Sequence, residues 1–249
     1  MGLKESGLRG SLRNVSVGID AIPDSDIFQN PIYRYDYSSV GVSDETSPFD
    51  VPESLAGLND ATAEGSPIFR EDQEGVAAGE YDGIDDGHNA DSDSNTPTGT
   101  DAVSMAALVY VRSFDSNNCI YNYGPGSSGD TVNLNVRDDG RVLFRVNGGD
   151  FVTADSSTGL FETGQWVTVG GSLFSDGQDG EVFYNGDQVG ATSGEDTPDL
   201  QNESHSIGYN RGDNDEYSDA FIADVIICDG REVESAYSEY HSEWMDILG

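Results

Sequence analysis

Short apolar runs alternate with clusters of Gly, Asp, Asn and Ser along most of the chain, and this spacing predicts strands joined by turns. The stretch 161–190 shows the pattern best. Its runs 166–169 and 182–184 are β-branched and aromatic, as strands prefer. Between them, 175–180 is rich in Gly, Asp and Gln and reads as a surface turn. Asn185 and Gly186 predict a type I′ hairpin, because that turn needs positive φ at both central residues. The hairpin sets Tyr184 opposite Asp187 and Val182 opposite Val189.

A second hairpin follows from register. Val132, Leu134 and Val136 share one face of a strand, and Val142, Phe144 and Val146 share one face of the next. A three-residue loop, Asp138, Asp139 and Gly140, pairs Val136 with Val142 and keeps both apolar sets together. A two-residue loop would slip them to opposite faces. Further strands are expected over 31–37, 66–70, 76–81, 104–111, 204–209 and 220–228, with polar loops over 38–65 and 91–101. Near the C-terminus the period changes. Val233, Ala236, Tyr237, Tyr240, Trp244 and Ile247 form a helical stripe within 231–248.

Several of these stretches carry family motifs. Leu160, Gly164, Trp166 and Val169, followed by Val182, Tyr184, Asn185, Gly186 and Val189, resemble the signature of laminin-G-like, concanavalin A-like jelly rolls. Tyr81, Asp82, Gly83, Asp85 and Asp86 resemble that family's aromatic-Asp-Gly-x-Asp-Asp motif. The run 104–111 resembles a core strand of the family, with Leu108 at the place of its usual tryptophan. The resemblance covers roughly 66–245 and implies an all-β concanavalin A-like (LamG-type) jelly-roll sandwich with an extended N-terminal anchor and a short C-terminal helix. The expected division is 1–30 for the anchor, 31–231 for the sandwich and 232–249 for the helix packed on it.

Composition changes the picture of the setting. The 249 residues carry 47 acidic and 11 basic side chains, a net charge of -36. Lys4 is the one lysine; the other basic residues are arginines. So acidic a surface repels nucleic acid and anionic membranes, and neither is an expected partner. In molar salt the Debye length is about 3 Å, so self-repulsion is screened. The composition resembles that of proteins of halophilic archaea and their viruses. Disorder is the other reading of strong acidity, but 10% aromatic residues in many apolar runs argue against it for most of the chain. Cys119 and Cys228 make no disulfide framework, and no apolar run approaches the roughly 18 residues of a membrane span. The N-terminus shows no secretory signal.

The segment 1–30 stands apart. It holds Lys4, Arg9 and Arg13 among apolar Leu3, Leu8 and Leu12, and it is too Gly-rich for a stable lone helix. It is either a disordered tail or an anchor that orders against a larger assembly. The segment resembles leaders of jelly-roll proteins from haloarchaeal tailed viruses. That resemblance implies a surface protein of the virion, made in the host cytoplasm. It would join other virion proteins through Leu3, Leu8, Arg9, Leu12 and Arg13, and assemble as a homo-oligomer.

Candidate chemistry is sparse. Glucanases share the implied fold, but their Glu-x-Asp-x-x-Glu signature is missing. The three histidines have no Gly-x-Ser-x-Gly partner, and the two cysteines lack zinc spacing, so no enzyme is expected. Calcium is the one cofactor the residues suggest. Asp82, Asp85 and Asp86, with Asp224 from a later strand, offer carboxylates for it. The competing reading is a solvated turn whose aspartates cap backbone amides. For glycans of the host surface, aromatics stack on sugar faces while Asp and Asn grip hydroxyls. Tyr121, Asn122 and Tyr123 form one such set, and Tyr209, Asn210, Asp213 and Asp215 another; each is also consistent with packing at strand ends. A cellular or secreted glycan-binding module of a halophile is the alternative function, and a glycoside hydrolase a more distant one.

Overall fold

The apolar alternation becomes two antiparallel sheets packed face to face in a computed structural model. The structure describes residues 27–249 except 54, 56–59, 116, 125–130, 149, 175–178, 194–198, 202 and 212–215. In chain order the strands are β1 (Pro31–Asp36), β2 (Thr62–Glu64), β3 (Ile68–Gln73), β4 (Val76–Asp82) and β5 (Gly87–Ala90). They continue with β6 (Val103–Val111), β7 (Asn118–Tyr123), β8 (Thr131–Val136), β9 (Val142–Gly148) and β10 (Asp150–Asp155). The last are β11 (Val167–Leu173), β12 (Gly180–Tyr184), β13 (Asp187–Thr192), β14 (His205–Ile207) and β15 (Asp219–Asp229), before helix α1 (Glu234–Leu248).

One sheet runs β13-β12-β11-β6-β15-β4-β3, and the other β10-β9-β8-β7-β14-β5-β2. The eleven-residue β15 is long enough to pair with two strands on one side: its first half meets β4 and its second half meets β1. The inward faces of the two sheets close on each other. Val103, Met105, Ala107, Val109 and Val111 of β6 belong to the same buried cluster as Val132, Leu134, Val136, Val142 and Phe144. Each strand thus gives alternate side chains to the core.

Both hairpins form. Val136 pairs with Val142, Leu134 with Phe144 and Val132 with Val146. The Arg137 amide donates to the Arg141 carbonyl, which closes the three-residue loop, and Gly140 sits at φ 73. At the other hairpin Asn185 and Gly186 take φ 50 and 83, and Tyr184 faces Asp187. Val182, however, pairs with Gly190 and not with Val189. A bulge after Val182 lets β13 hold one extra residue, which shifts the register beyond it.

The outer face of the eight-stranded sheet is apolar too, and α1 covers it. Ala236, Tyr237, Tyr240 and Trp244 are its buried residues; Val233 of the expected stripe is instead the exposed residue before the first turn. A buried aromatic side chain removes about 200 Å² from water, worth about 5 kcal/mol gross, so three of them suffice to dock the helix. Phe28 joins this second cluster, its ring 5.6 Å from Tyr237 and 5.5 Å from Tyr240. The Gln29 amide donates to Glu232 at 2.6 Å. The end of the expected anchor is therefore packed on the sandwich from Ile27 onward. Leu3, Leu8, Arg9, Leu12 and Arg13 lie outside the described residues.

Candidate functional site

The acidic motif forms the turn between β4 and β5. Carboxylate oxygens of Asp82, Asp85 and Asp86 lie within 4.8 Å of one another. Asp86 and Asp82 hold backbone amides, while the exposed Asp85 carboxylate holds none among the described residues. Asp86 Oδ1 accepts from the Ser66 amide at 2.7 Å and Oδ2 from the Asp82 amide at 3.2 Å. Asp82 Oδ1 accepts from the Ile84 and Asp85 amides at 2.8 and 3.4 Å. Burial, with Asp82 and Asp85 close by, pushes the Asp86 carboxyl up. The aspartates thus cap a tight turn. A calcium ion wants six to eight oxygens, so beyond these carboxylates it would need backbone carbonyls or water.

Asp224 does not join this turn. It is fully buried under α1, where Arg34 of β1 grips it with two hydrogen bonds, Nε to Oδ1 at 2.9 Å and Nη2 to Oδ2 at 2.8 Å. The Tyr240 hydroxyl donates to the same Oδ2 at 3.0 Å. Burial disfavours charge on both partners and raises Asp224. The carboxylate outweighs that penalty at Arg34 and holds the guanidinium charged. The fourth supposed calcium ligand is therefore one half of a buried ion pair.

Tyr121 and Tyr123 also leave the list of sugar-stacking residues. They pair with Leu134 and Val132 on the inward face of β7 and are fully buried. The Tyr121 hydroxyl bonds His205 Nδ1, and the Tyr123 hydroxyl donates to the Pro97 carbonyl. Burial lowers His205 to about 3, so it stays neutral in the core. Asn122, between the two tyrosines, points the other way.

That other way is the outer face of the seven-stranded sheet, and it is polar. Cα partners run in register from Thr62 to Asn89, Ser206, Asn122, Asn133 and Arg145, one polar residue from each of six adjacent strands. The flanks 208–210 and 216–218 pair with each other, and Asn210 reaches the middle of this row. Asn122 Nδ2 donates to Asn133 Oδ1 and, at 3.2 Å, to Asn210 Oδ1. Asn210 and Asn117 donate to the two oxygens of Glu216 at 2.7 and 2.9 Å. An isolated antiparallel bridge joins Tyr209 to Tyr217.

The two tyrosines make the most distinctive feature of this face. Their rings lie nearly parallel, 5.6 Å apart and inclined by 12°. Tyr209 is the buried member, and its hydroxyl donates to Asn89 Oδ1, while Asn89 Nδ2 donates to Glu64. Gly87 lies directly beneath the Tyr209 ring; a Cβ there would come within 2.1 Å of it, so the close approach requires glycine. Tyr217 is half-exposed. Of the second candidate set, Tyr209 and Asn210 stand together here, and Asp213 and Asp215 lie outside the described residues. Tyr217, Asn89 and Glu64 were not singled out from the sequence. The two tyrosines flanking the polar stretch 210–216 were the available signal, since such a stretch can act as a turn that brings its flanks together.

The family model described as the concanavalin A-like lectin/glucanases superfamily, a laminin G model, matches residues 82–233. No curated protein matches the chain in sequence. Among solved structures, domain 4 of AbnA, a GH43 extracellular arabinanase from Geobacillus stearothermophilus in complex with arabinotriose, is similar with a TM-score of 0.65 and 16% identity. That match covers 86% of this chain and 100% of the arabinanase domain. The binding domain of Paraclostridial Mosquitocidal Protein 1 is similar with a TM-score of 0.67 and 9% identity, covering 87% of this chain and 53% of that one. The botulinum neurotoxin type G receptor binding domain gives a TM-score of 0.62 and 11% identity, covering 86% and 51%. The chain thus spans about half the length of the two toxin domains. At these identities the likenesses concern the fold alone.

Proposed function

The chain belongs to the concanavalin A-like lectin/glucanases superfamily, and from that premise we propose that it is a non-catalytic carbohydrate-recognition module. The observation that carries this reading is the half-exposed Tyr217 ring lying flat on Tyr209 beside Asn89, Glu64 and Asn210. An aromatic face receives the C–H face of a sugar, and neighbouring amides and carboxylates receive its hydroxyls. Two carboxylates of this face already accept from amides, Glu64 from Asn89 and Glu216 from Asn117 and Asn210. The test is a screen of neutral and charged oligosaccharides against the full chain in molar salt. Specific binding that falls by about tenfold or more in Tyr217→Ala is expected. No binding to any glycan, or binding unchanged in that variant, refutes the reading.

The second part of the proposal concerns where the module works. We propose that it is displayed on the surface of a haloarchaeal tailed virus and binds host-surface glycans. The net charge of -36 with one lysine supports a high-salt setting. Phe28 supports the display geometry: the chain enters the sandwich beneath α1, on the outer face opposite the Tyr209–Tyr217 side. An anchor before residue 27 and a recognition face on the far side suit an attachment protein. Deleting residues 2–25 should leave a folded sandwich that no longer incorporates into particles. Incorporation at the normal copy number would refute the anchor and favour a cellular glycan-binding module.

A further inference from the structure

We infer that the cleft at one end of the sandwich, formed by the β5–β6 connection against the ends of β1 and β15, is a second carbohydrate subsite that takes one uncharged sugar residue. The inference rests on the carbohydrate reading above but concerns different residues. The cleft has a volume of about 310 Å³, at the small end of ligand pockets, and Ile32, Asn95, Pro97, Thr98, Asp101 and Asp229 are among its lining residues.

Three features point to a sugar. First, the cleft wall is fixed before any ligand arrives. The Tyr33 hydroxyl bonds Asp93 at 2.6 Å and Thr96 at 2.9 Å, and the Tyr123 hydroxyl holds the Pro97 carbonyl. Gly99 and Leu200 exchange two backbone hydrogen bonds of 2.8 Å. Two core tyrosines therefore pin a surface loop, which lowers the ordering cost of binding. Second, polar groups line the cleft without consuming one another. Asp101 spends Oδ2 on the Thr98 amide and keeps Oδ1, and the Asp229 carboxylate and Thr98 hydroxyl have no hydrogen-bond partner among the described residues. These groups can accept from, and donate to, vicinal hydroxyls, while half-buried Ile32 gives a small apolar contact for C–H groups. Third, the charge selects. Asp101 and Asp229 repel uronic and sialic acids. Neither belongs to the close carboxylate triad formed by Asp82, Asp85 and Asp86, and calcium enters the test below as the competing occupant.

The experiment is amide NMR of the full chain in molar salt, titrated with neutral methyl glycosides, with glucuronate and with calcium chloride. A neutral glycoside should shift the amides of 98–101 and Gly230 saturably, with glucuronate and calcium leaving them in place. Thr98→Val and Asp229→Ala, both at exposed positions, should each weaken that response by about tenfold without moving the shifts around Tyr217. Shifts confined to the Tyr209–Tyr217 face, with both variants binding normally, would overturn the subsite and leave the carbohydrate reading standing. An equal response to glucuronate, or one reproduced by calcium alone, would also overturn it. Silence at both places would remove the subsite together with the broader reading.

Discussion

Removing Asp224 should be among the most damaging single changes to the fold. The Asp224→Ala variant deletes the partner of a guanidinium whose side chain is 2% exposed. With charge centres about 4 Å apart and an effective dielectric of about 20, the lost attraction is about 4 kcal/mol. That agrees with the roughly 3–5 kcal/mol typical when one member of a buried pair is removed. For a chain of this size it corresponds to a fall in Tm of roughly 10 °C. Because both groups are buried, the loss should persist in molar salt. The assay is chemical and thermal unfolding of the wild type, Asp224→Ala, Arg34→Met and the Arg34→Met/Asp224→Leu double variant. Each single variant should be strongly destabilised and the double variant should regain most of the loss, since it removes both charges of the pair. A loss below about 1 kcal/mol in Asp224→Ala would refute the reasoning. So would calcium that stabilises the wild type but not the variant, because Asp224 would then be a metal ligand.

Other expectations are independent of that pair. Gly140→Val forces a β-branched residue to φ 73 and should cost about 1–3 kcal/mol by denaturant unfolding; a variant as stable as wild type would contradict the loop. Burial lowers His88 to about 4 and His205 to about 3, so the folded state prefers both rings neutral. Their contribution is complete above the unfolded value of about 6.5 and is lost as the pH falls towards those folded values, by about 3 kcal/mol for His88 alone. Melting temperatures that stay flat from pH 7 to 4 would count against this. When salt drops from molar to about 0.1 M the Debye length grows to about 10 Å, and the acidic surface should lose native structure by circular dichroism; an unchanged spectrum and Tm would argue against a high-salt protein.

The strand framework was legible wherever period-two alternation met a good turn. Val132, Leu134 and Val136 could pair with only one face of the next strand, and Gly140 supplied the turn. The displaced pairing of Val182 was not legible, because a bulge reflects local hydrogen-bond geometry and leaves no residue type behind. The tyrosines of β7 show a different failure. In Tyr121-Asn122-Tyr123 the alternation identifies two faces, yet it does not say which one meets the other sheet. The neighbours Leu134 and Val132 decide that, and they make the tyrosines core. Asp224 carried a readable warning. An acid inside the apolar run 220–228 needs a partner, and Arg34 sits between the buried Tyr33 and Tyr35 of β1, but 190 residues separate them. The Tyr209–Tyr217 platform depends on the bridge between the two tyrosines and on Asn210 meeting Asn122, 88 residues away, a long-range arrangement that pattern alone does not reveal.

A crystal structure of the full chain grown with the tightest oligosaccharide from the glycan screen tests the central claim most directly. A sugar ring should stack on Tyr217, with hydroxyls held by Asn89, Glu64 or Asn210. A sugar seated elsewhere, with the Tyr209–Tyr217 face left bare, would contradict it.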